Sequence, residues 1–313
     1  MSQNTQNSSA FIEAQQYSSF ILSNLHDGLL PGQFYRDVSD FGSGTTLNVK
    51  SIGSATIQDV AEETPLVYNP IDTGTVTMSI TEYEGDAWSV SDDLREDGSQ
   101  IEQLMAARAA EATRLLQESF ESKFLAACNS VQTDANPNNV NGFAHRIASG
   151  ETNDIITLDH LVEMKLAFDK AMVPSGGRVL IVDPVVAATL DKQVNIGRDV
   201  TDFGKMILEG GWARDHDFIM NIYGWNIITS NRLPTGTFGD GTNSVTGVVN
   251  VALSVIDDNH NAVMAAWRRM PSTEGRRNMP KQRDEFQVTA RYGFGSQRAD
   301  TVGTIITSAT ATA

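Results

Sequence analysis

The amino-acid sequence predicts an α+β fold, and three observations carry that prediction. Polar and β-branched residues alternate with apolar ones between Thr45 and Thr81, the pattern of half-buried strands. From Ser99 onward, apolar side chains recur at helical spacing for about 30 residues, or about 45 Å of helix. Between Leu158 and Arg268, helical periods are interleaved with short Val- and Ile-rich runs, so helices and strands share one block. With 313 residues, the chain is long enough for about two domains or one elaborate one. Hydrophobic residues at 40% and charged residues at 20% exclude disorder throughout.

The elements follow in order. Residues Met1 to Ser9 lack the apolar side chains that offset ordering entropy. Phe11, Ile12, Tyr17, Phe20, Ile21, Leu22 and Leu25 then predict a short helix or an arm lying on an apolar surface. Residues 45 to 81 read as a long, irregular hairpin, punctuated by Gly53, Pro65, Pro70 and Gly74. It has few large apolar residues of its own, and a hairpin alone in water is marginal, so it needs another surface. Ser99 and Glu102 match a capping box ahead of a helix that runs to Cys128. Ile101, Leu104, Met105, Ala112, Leu115, Leu116, Phe120 and Phe124 mark its apolar face. Leu158 to Ala171 predicts a further helix, closed by Pro174-Ser175-Gly176-Gly177. Val179 to Val182 is a buried strand, and Asp183-Pro184 suits the cap and first turn of a helix over 184–192. Strands are predicted at 225–229, 245–256, 262–268 and 285–292, with Thr235 to Ser244 as an exposed loop.

Little in the sequence points to catalysis. Five scattered histidines include no H-x-x-x-H pair, and Asp215-His216-Asp217 reads as a surface loop because neighbouring side chains rarely converge on one ion. The single cysteine, Cys128, excludes a disulfide framework and reads as a buried small hydrophobe. Ser175-Gly176-Gly177-Arg178 precedes a strand, whereas phosphate-binding loops follow one, and Gly293-Phe294-Gly295 lacks a third glycine; both read as turns or bulges. The expectation is no catalytic residue, no cofactor and no metal. Met1 to Ala10 carries no Lys or Arg, unlike a signal peptide, and no run of about 18 apolar residues could span a bilayer. Folding in a reducing compartment, away from a membrane, is the expectation.

Charge is distributed unevenly. The net charge is −16, the wrong sign for a surface built to grip nucleic acid. Residues 54 to 102 hold twelve acidic side chains and one basic, Arg95. Residues 265 to 298 hold eight basic side chains, Arg268, Arg269, Arg276, Arg277, Lys281, Arg283, Arg291 and Arg298, against Glu274, Asp284 and Glu285. Two oppositely charged regions in one chain could attract between copies, or each could be a solvated face. The contact residues predicted on the attractive reading are Glu62, Glu63, Asp72, Glu82 and Glu84 on one side. Arg268, Arg269, Arg276, Arg277, Lys281 and Arg283 are their counterparts.

The order of these elements resembles the major capsid protein of tailed double-stranded DNA bacteriophages, the HK97-like fold. Thr45-Thr46-Leu47-Asn48-Val49 through Val60 is similar to that family's extended loop, and Val173-Pro174-Ser175-Gly176-Gly177-Arg178 to its helix–turn–strand segment. Tyr223-Gly224-Trp225 through Ser230-Asn231-Arg232-Leu233-Pro234 resembles another shared stretch. Gln287 to Gly293 and Arg298-Ala299-Asp300 resemble the closing strands of the short-tailed podophage branch. The resemblance implies an N-terminal arm over 1–40 and an extended β-hairpin loop over 41–90. It implies a peripheral domain over 91–130 and 265–313, with a spine helix over 99–128, and an axial domain over 131–264. It implies hexamers and pentamers in an icosahedral shell around the genome, which is held without sequence-specific binding. A separate scaffolding protein, a portal protein at one vertex and room for a decoration protein are also implied. The shell would be assembled in the bacterial host cytoplasm and reside in the virion. Some family members cross-link through a lysine on the extended loop; residues 51 to 122 contain no lysine and Lys50 sits at the hairpin base, so no such cross-link is expected. An encapsulin-like compartment, or an enzyme or binding domain with a hidden pocket, are the alternatives.

Overall fold

The computed structural model describes residues 28–200 and 220–309, apart from 31, 41–43, 54, 56, 61, 63–66, 72 and 99–100. The expected N-terminal arm up to Leu25, the Ser99 cap and the Asp215-His216-Asp217 segment lie outside these residues. In chain order the elements are β1 (Arg36–Asp37), β2 (Thr46–Ile52), β3 (Thr73–Ser91), α1 (Asp92–Asp97) and α2 (Ile101–Ser130). There follow β4 (Asn139–Val140), β5 (Phe143–Ala144), β6 (Arg146–Ala148), α3 (Leu158–Lys170), β7 (Arg178–Val182) and α4 (Pro184–Val200). The chain continues with β8 (Met220–Ile222), β9 (Trp225–Thr229), β10 (Thr235–Gly239) and β11 (Ser244–Ser254). It closes with β12 (Val263–Asn278), β13 (Arg283–Ser296) and β14 (Val302–Thr307).

Two sheets organise the chain. A five-stranded sheet has the order β1-β12-β13-β3-β2, and a seven-stranded sheet runs β6-β14-β11-β7-β9-β8, with β10 added against β11. The predicted hairpin is real, with β2 paired antiparallel to β3 from Thr46–Ser79 to Ile52–Thr73. Beyond Ser79, β3 pairs instead along β13 as far as Ser91, so the second strand is longer than the alternation alone predicts. Residues 302–307, which sequence groups with the C-terminal peripheral segment, form β14 and lie between β6 and β11 in the seven-stranded sheet.

Helix α2 joins the two halves. Ala112, Leu116, Phe120 and Phe124 recur every four residues and are buried, whereas Leu104 and Leu115 are exposed. Phe120 meets Trp267 at 4.3 Å, Tyr292 and Phe294 at 5.0 Å and Tyr35 at 5.5 Å, forming the aromatic core beneath the five-stranded sheet. One turn later, Phe124, Leu125 and Cys128 enter the main core with Leu161, Phe168, Leu180 and Trp225. Cys128 is fully buried, as expected of a small hydrophobe, and burial pushes its thiol pKa well up.

Several local expectations hold for identifiable reasons. Asp183 accepts a 2.8 Å hydrogen bond from Val185 N–H ahead of Pro184, so the cap is in place, and the helix continues to Val200. Gly177 sits at φ +64°, and a Cβ there would press on Ile256, which is why the turn before β7 needs glycine. Gly293 and Gly295 lie in β13 where its register against β3 shifts. A Cβ on Gly293 would fall 2.3 Å from Ser79 O, so glycine allows the strands to close at the bulge.

Two expectations are corrected. Residues 235–244 are not a loop, since β10 pairs with β11 from Thr235–Val248 to Gly239–Ser244, and Thr237 and Thr246 hydroxyls share a 2.8 Å hydrogen bond. Only Asp240 to Asn243 turns, with Asp240 accepting from Thr242 and Asn243 N–H groups. The strand predicted to stop at 268 continues to Asn278. Pro271 reads as a breaker, but it falls within a register shift between Arg269 and Ser272, where a missing N–H is tolerated.

Candidate assembly surface

The hairpin leads into a segment, 53–72, that buries no large apolar side chain among its described residues. Ile57 is 94% exposed and Tyr68 98%, and Val60, Val67 and Ile71 are also exposed. The Gln58 side-chain amide accepts from Val67 N–H at 3.1 Å and donates to Val67 O at 2.8 Å, imitating one rung of a sheet and closing the loop on itself. Partner pairing by β13 ends where Phe294 meets Ser79, so the rest of the ribbon projects from the sheet. Exposed apolar side chains on a projecting ribbon are the chemistry of a contact surface.

The predicted charged residues fall into three settings. Glu62 is exposed on the ribbon, while Glu63 and Asp72 lie outside the described residues. Glu82 and Glu84 sit on the α2 side of β3, where both pair with Lys123, Glu84 at 2.6 Å. Glu84 also accepts from Ser119 and the Tyr292 hydroxyl, each at 2.7 Å. Burial alone would raise the Glu84 pKa, but these hydrogen bonds and the Lys123 charge hold it below the usual carboxylate value. Burial and the neighbouring Glu84 push the Tyr292 hydroxyl up.

The arginines of β12 and β13 are largely engaged within the chain. Register sets Arg276 opposite Glu285 and Arg277 opposite Asp284. Arg276 pairs with Glu285 at 2.8 Å, Arg283 joins the same carboxylate at 2.6 Å, and Arg277 bridges Asp92 at 2.5 Å and Asp284 at 3.2 Å. Hydrogen bonds from Arg276, Asn278 and Arg283 push the Glu285 pKa down to about 2. Arg269 pairs with Glu274, Arg268 is exposed beside it, and Lys281 stands exposed in the turn between β12 and β13.

Other polar residues matter that sequence reasoning did not single out. Arg178 is almost wholly buried; it donates to the Val173 and Pro174 carbonyls and to Asp169, and lies over the rings of Phe168 and Trp225. It thereby ties the end of α3 to the start of β7. Glu121, buried on α2, pairs with Arg232 at 3.3 Å and accepts from Leu30 N–H and the Ser230 hydroxyl. Arg232 also reaches Glu118 at 3.1 Å and the Gly28 carbonyl. The signal available was proximity to two recognisable stretches, since Arg178 and Arg232 lie inside them.

Residues 73–306 match the family described as Phage capsid protein. The chain belongs to that family. Solved structures of phage capsids share its HK97-like fold. Against the capsid of cyanophage P-SCSP1u the TM-score is 0.70 at 16% identity, covering 94% of this chain and 92% of that one. Against Mycobacterium phage Che8 it is 0.65 at 15% identity, covering 93% and 96%. Against the cyanophage Pam1 capsid it is 0.64 at 14% identity, covering 98% of each. No curated protein sequence matches the chain. The role of this phage capsid protein is structural, as a component of the virion capsid that assembles into a shell. Among the described residues no group of three or more His, Cys, Asp or Glu could hold a metal, and no helix is long and apolar enough to cross a membrane.

Proposed function

We propose that this capsid protein forms hexamers and pentamers that tile an icosahedral shell around a double-stranded DNA genome. The observation that supports this most directly is the tip of the projecting ribbon, where Ile52, Ile57, Val60, Val67, Tyr68 and Ile71 are exposed, whereas Met78 near its base is buried against Met264 and Ala266. A specific interface buries on the order of 1,600 Å² in total, and a ribbon laid on a neighbour adds to that. Repetition around a closed shell makes modest contacts collectively hard to break. The two sheets suit a division into a peripheral domain, built on the five-stranded sheet and α2, and an axial domain built on the seven-stranded sheet, which would then include β14.

The role is mechanical, with no reaction catalysed. A net charge of −16 fits a container that must later release its DNA, since a lining that held phosphates tightly would hinder release. A separate scaffolding protein would guide assembly in the host cytoplasm, with a portal protein at one vertex. The podophage branch is the nearest in texture. Lys50, set opposite Thr75 in β2, is the one lysine of the ribbon and residues 51 to 122 contain none, so subunits would not be joined covalently through the ribbon tip. Shells heated in denaturing detergent should release one band near 34.0 kDa, whereas a ladder would contradict this.

A second reading has one observation behind it. The holo-SrpI encapsulin complex from Synechococcus elongatus PCC 7942 matches with a TM-score of 0.57 at 11% identity, covering 92% of this chain and 94% of that one. Electron microscopy of the purified chain, with and without a scaffolding protein, tests the shell itself. Closed particles tens of nanometres wide are expected, and persistent monomers under every condition would overturn the proposal. DNA inside particles made during infection would favour the genome shell over the encapsulin reading.

A further inference from the structure

The face of the five-stranded sheet turned away from α2 carries a groove of about 610 Å³ lined by Ile80, Thr81, Tyr83, Arg268, Arg269 and Arg291. Strand alternation puts it there. Tyr292 packs on Phe120 of α2, so its neighbour Arg291 points to the opposite face. Register then sets Arg269 across from Arg291 on one side and Tyr83 across from it on the other. Like charges directly opposite on neighbouring strands repel. Glu274 and the Thr289 hydroxyl take up the Arg269 guanidinium, but Arg291 makes no ion pair among the described residues. In a chain of net charge −16, the concavity thus keeps the Arg291 charge uncompensated among the described residues.

The complementary group sits at the other end of the same sheet. Helix α1 presents Asp93, Glu96 and Asp97, all exposed, at spacings of three and four that gather them within about 6 Å along its axis. Asp92 and Arg95 are already used within the chain, by Arg277 and Asp284 respectively. Exposed Leu94 lies beside the three acids and would meet the exposed Tyr83 ring. Helix α1 begins where β3 ends, about 26 Å beyond Tyr83 at 3.3 Å per residue, so helix and groove of one chain do not meet.

We infer that the arginine groove receives the acidic helix α1 of a second copy of this chain. The contact is head to tail, because groove and helix are different patches, and such contacts close into rings or extend a lattice. The projecting ribbon is also acidic, but Asp59, Glu62, Glu63 and Asp72 are spread along the chain, whereas α1 offers three carboxylates at the scale of the groove. The inference rests on shell formation as proposed above.

Full-length chains carrying Arg291→Glu, Glu96→Arg or both test it, under conditions where the unaltered chain forms shells. Each single reversal is expected to lower shell yield by about tenfold or more. Circular dichroism and the thermal midpoint of the subunit should be unchanged, and the double reversal should restore most of the yield. If Arg291→Glu impairs folding, the neutral Arg291→Gln takes its place and should still lower the yield. Normal shells from the single variants, or no recovery in a well-folded double variant, would overturn the contact. Recovery with Glu62→Arg in place of Glu96→Arg would seat the ribbon in the groove and overturn it too. Normal shells that fail only to retain DNA would make the groove a phosphate site instead. Shells from the unaltered chain beside a failed charge swap would sink this inference alone and leave the shell function standing.

Discussion

Glu84 keeps its charge beneath a helix because Lys123, Ser119 and Tyr292 all turn toward it. Its pKa is held below the ordinary carboxylate value of 4.5, so the stability it contributes is complete above that pH and is lost as pH falls through the lower folded value. His145 and His160 act in the same direction at higher pH. Burial lowers both below the ordinary 6.5, so the unfolded chain takes up protons that the folded chain refuses. Subunit stability should therefore be level between pH 6.5 and the ordinary cysteine value of 9.0, decline below 6.5, and decline further below 4.5. Urea midpoints measured across this range check the prediction, and replacing both histidines with Asn should flatten the upper slope while leaving the lower one. At this scale the sequence is least informative. Nothing in the spacing of Glu121 and Arg232 announces that they meet across 111 positions, and nothing in Ser175-Gly176-Gly177-Arg178 announces that its arginine is buried on two carbonyls.

Periodicity does better for elements than for the surroundings that bury them. Helix α2 is legible almost to its last residue, yet its apolar stripe is not buried uniformly. Phe120 lies among four aromatic rings, whereas Leu104 is half exposed near the helix start. Phe120→Ala should cost about 3–5 kcal/mol by emptying that core, and Leu104→Ala should stay within about 0.5 kcal/mol, both read from chemical denaturation of the subunit. Equal effects would mean that the whole stripe is packed. Strand β10 escapes sequence reasoning because Thr235 to Gly239 alternates small and polar residues, and pairing with β11 rather than apolar burial makes it a strand. The length of β12 was hidden by Pro271, which sits in a register shift.

For the whole molecule, the order of elements is readable in the sequence, and residues 73–306 match the family. The charge asymmetry was readable too, but its use was not. Arg276, Arg277 and Arg283 close ion pairs within their own sheet, because strand register sets them beside Asp284, Glu285 and the start of α1. Reversing Arg276 or Arg277 would therefore disturb the subunit as well as any contact between subunits. What remains outward is the ribbon, with Ile57, Tyr68 and Ile71 uncovered, and the groove around Arg291. A subunit that keeps its ion pairs at home and its apolar ribbon abroad is suited to tiling. The most direct test is a cryo-electron microscopy map of shells assembled from this chain, at a resolution that traces residues 53–72 of each subunit. The map should show every ribbon lying on an adjacent subunit with Tyr68 and Ile71 covered; ribbons touching no neighbour in a closed shell would contradict the account.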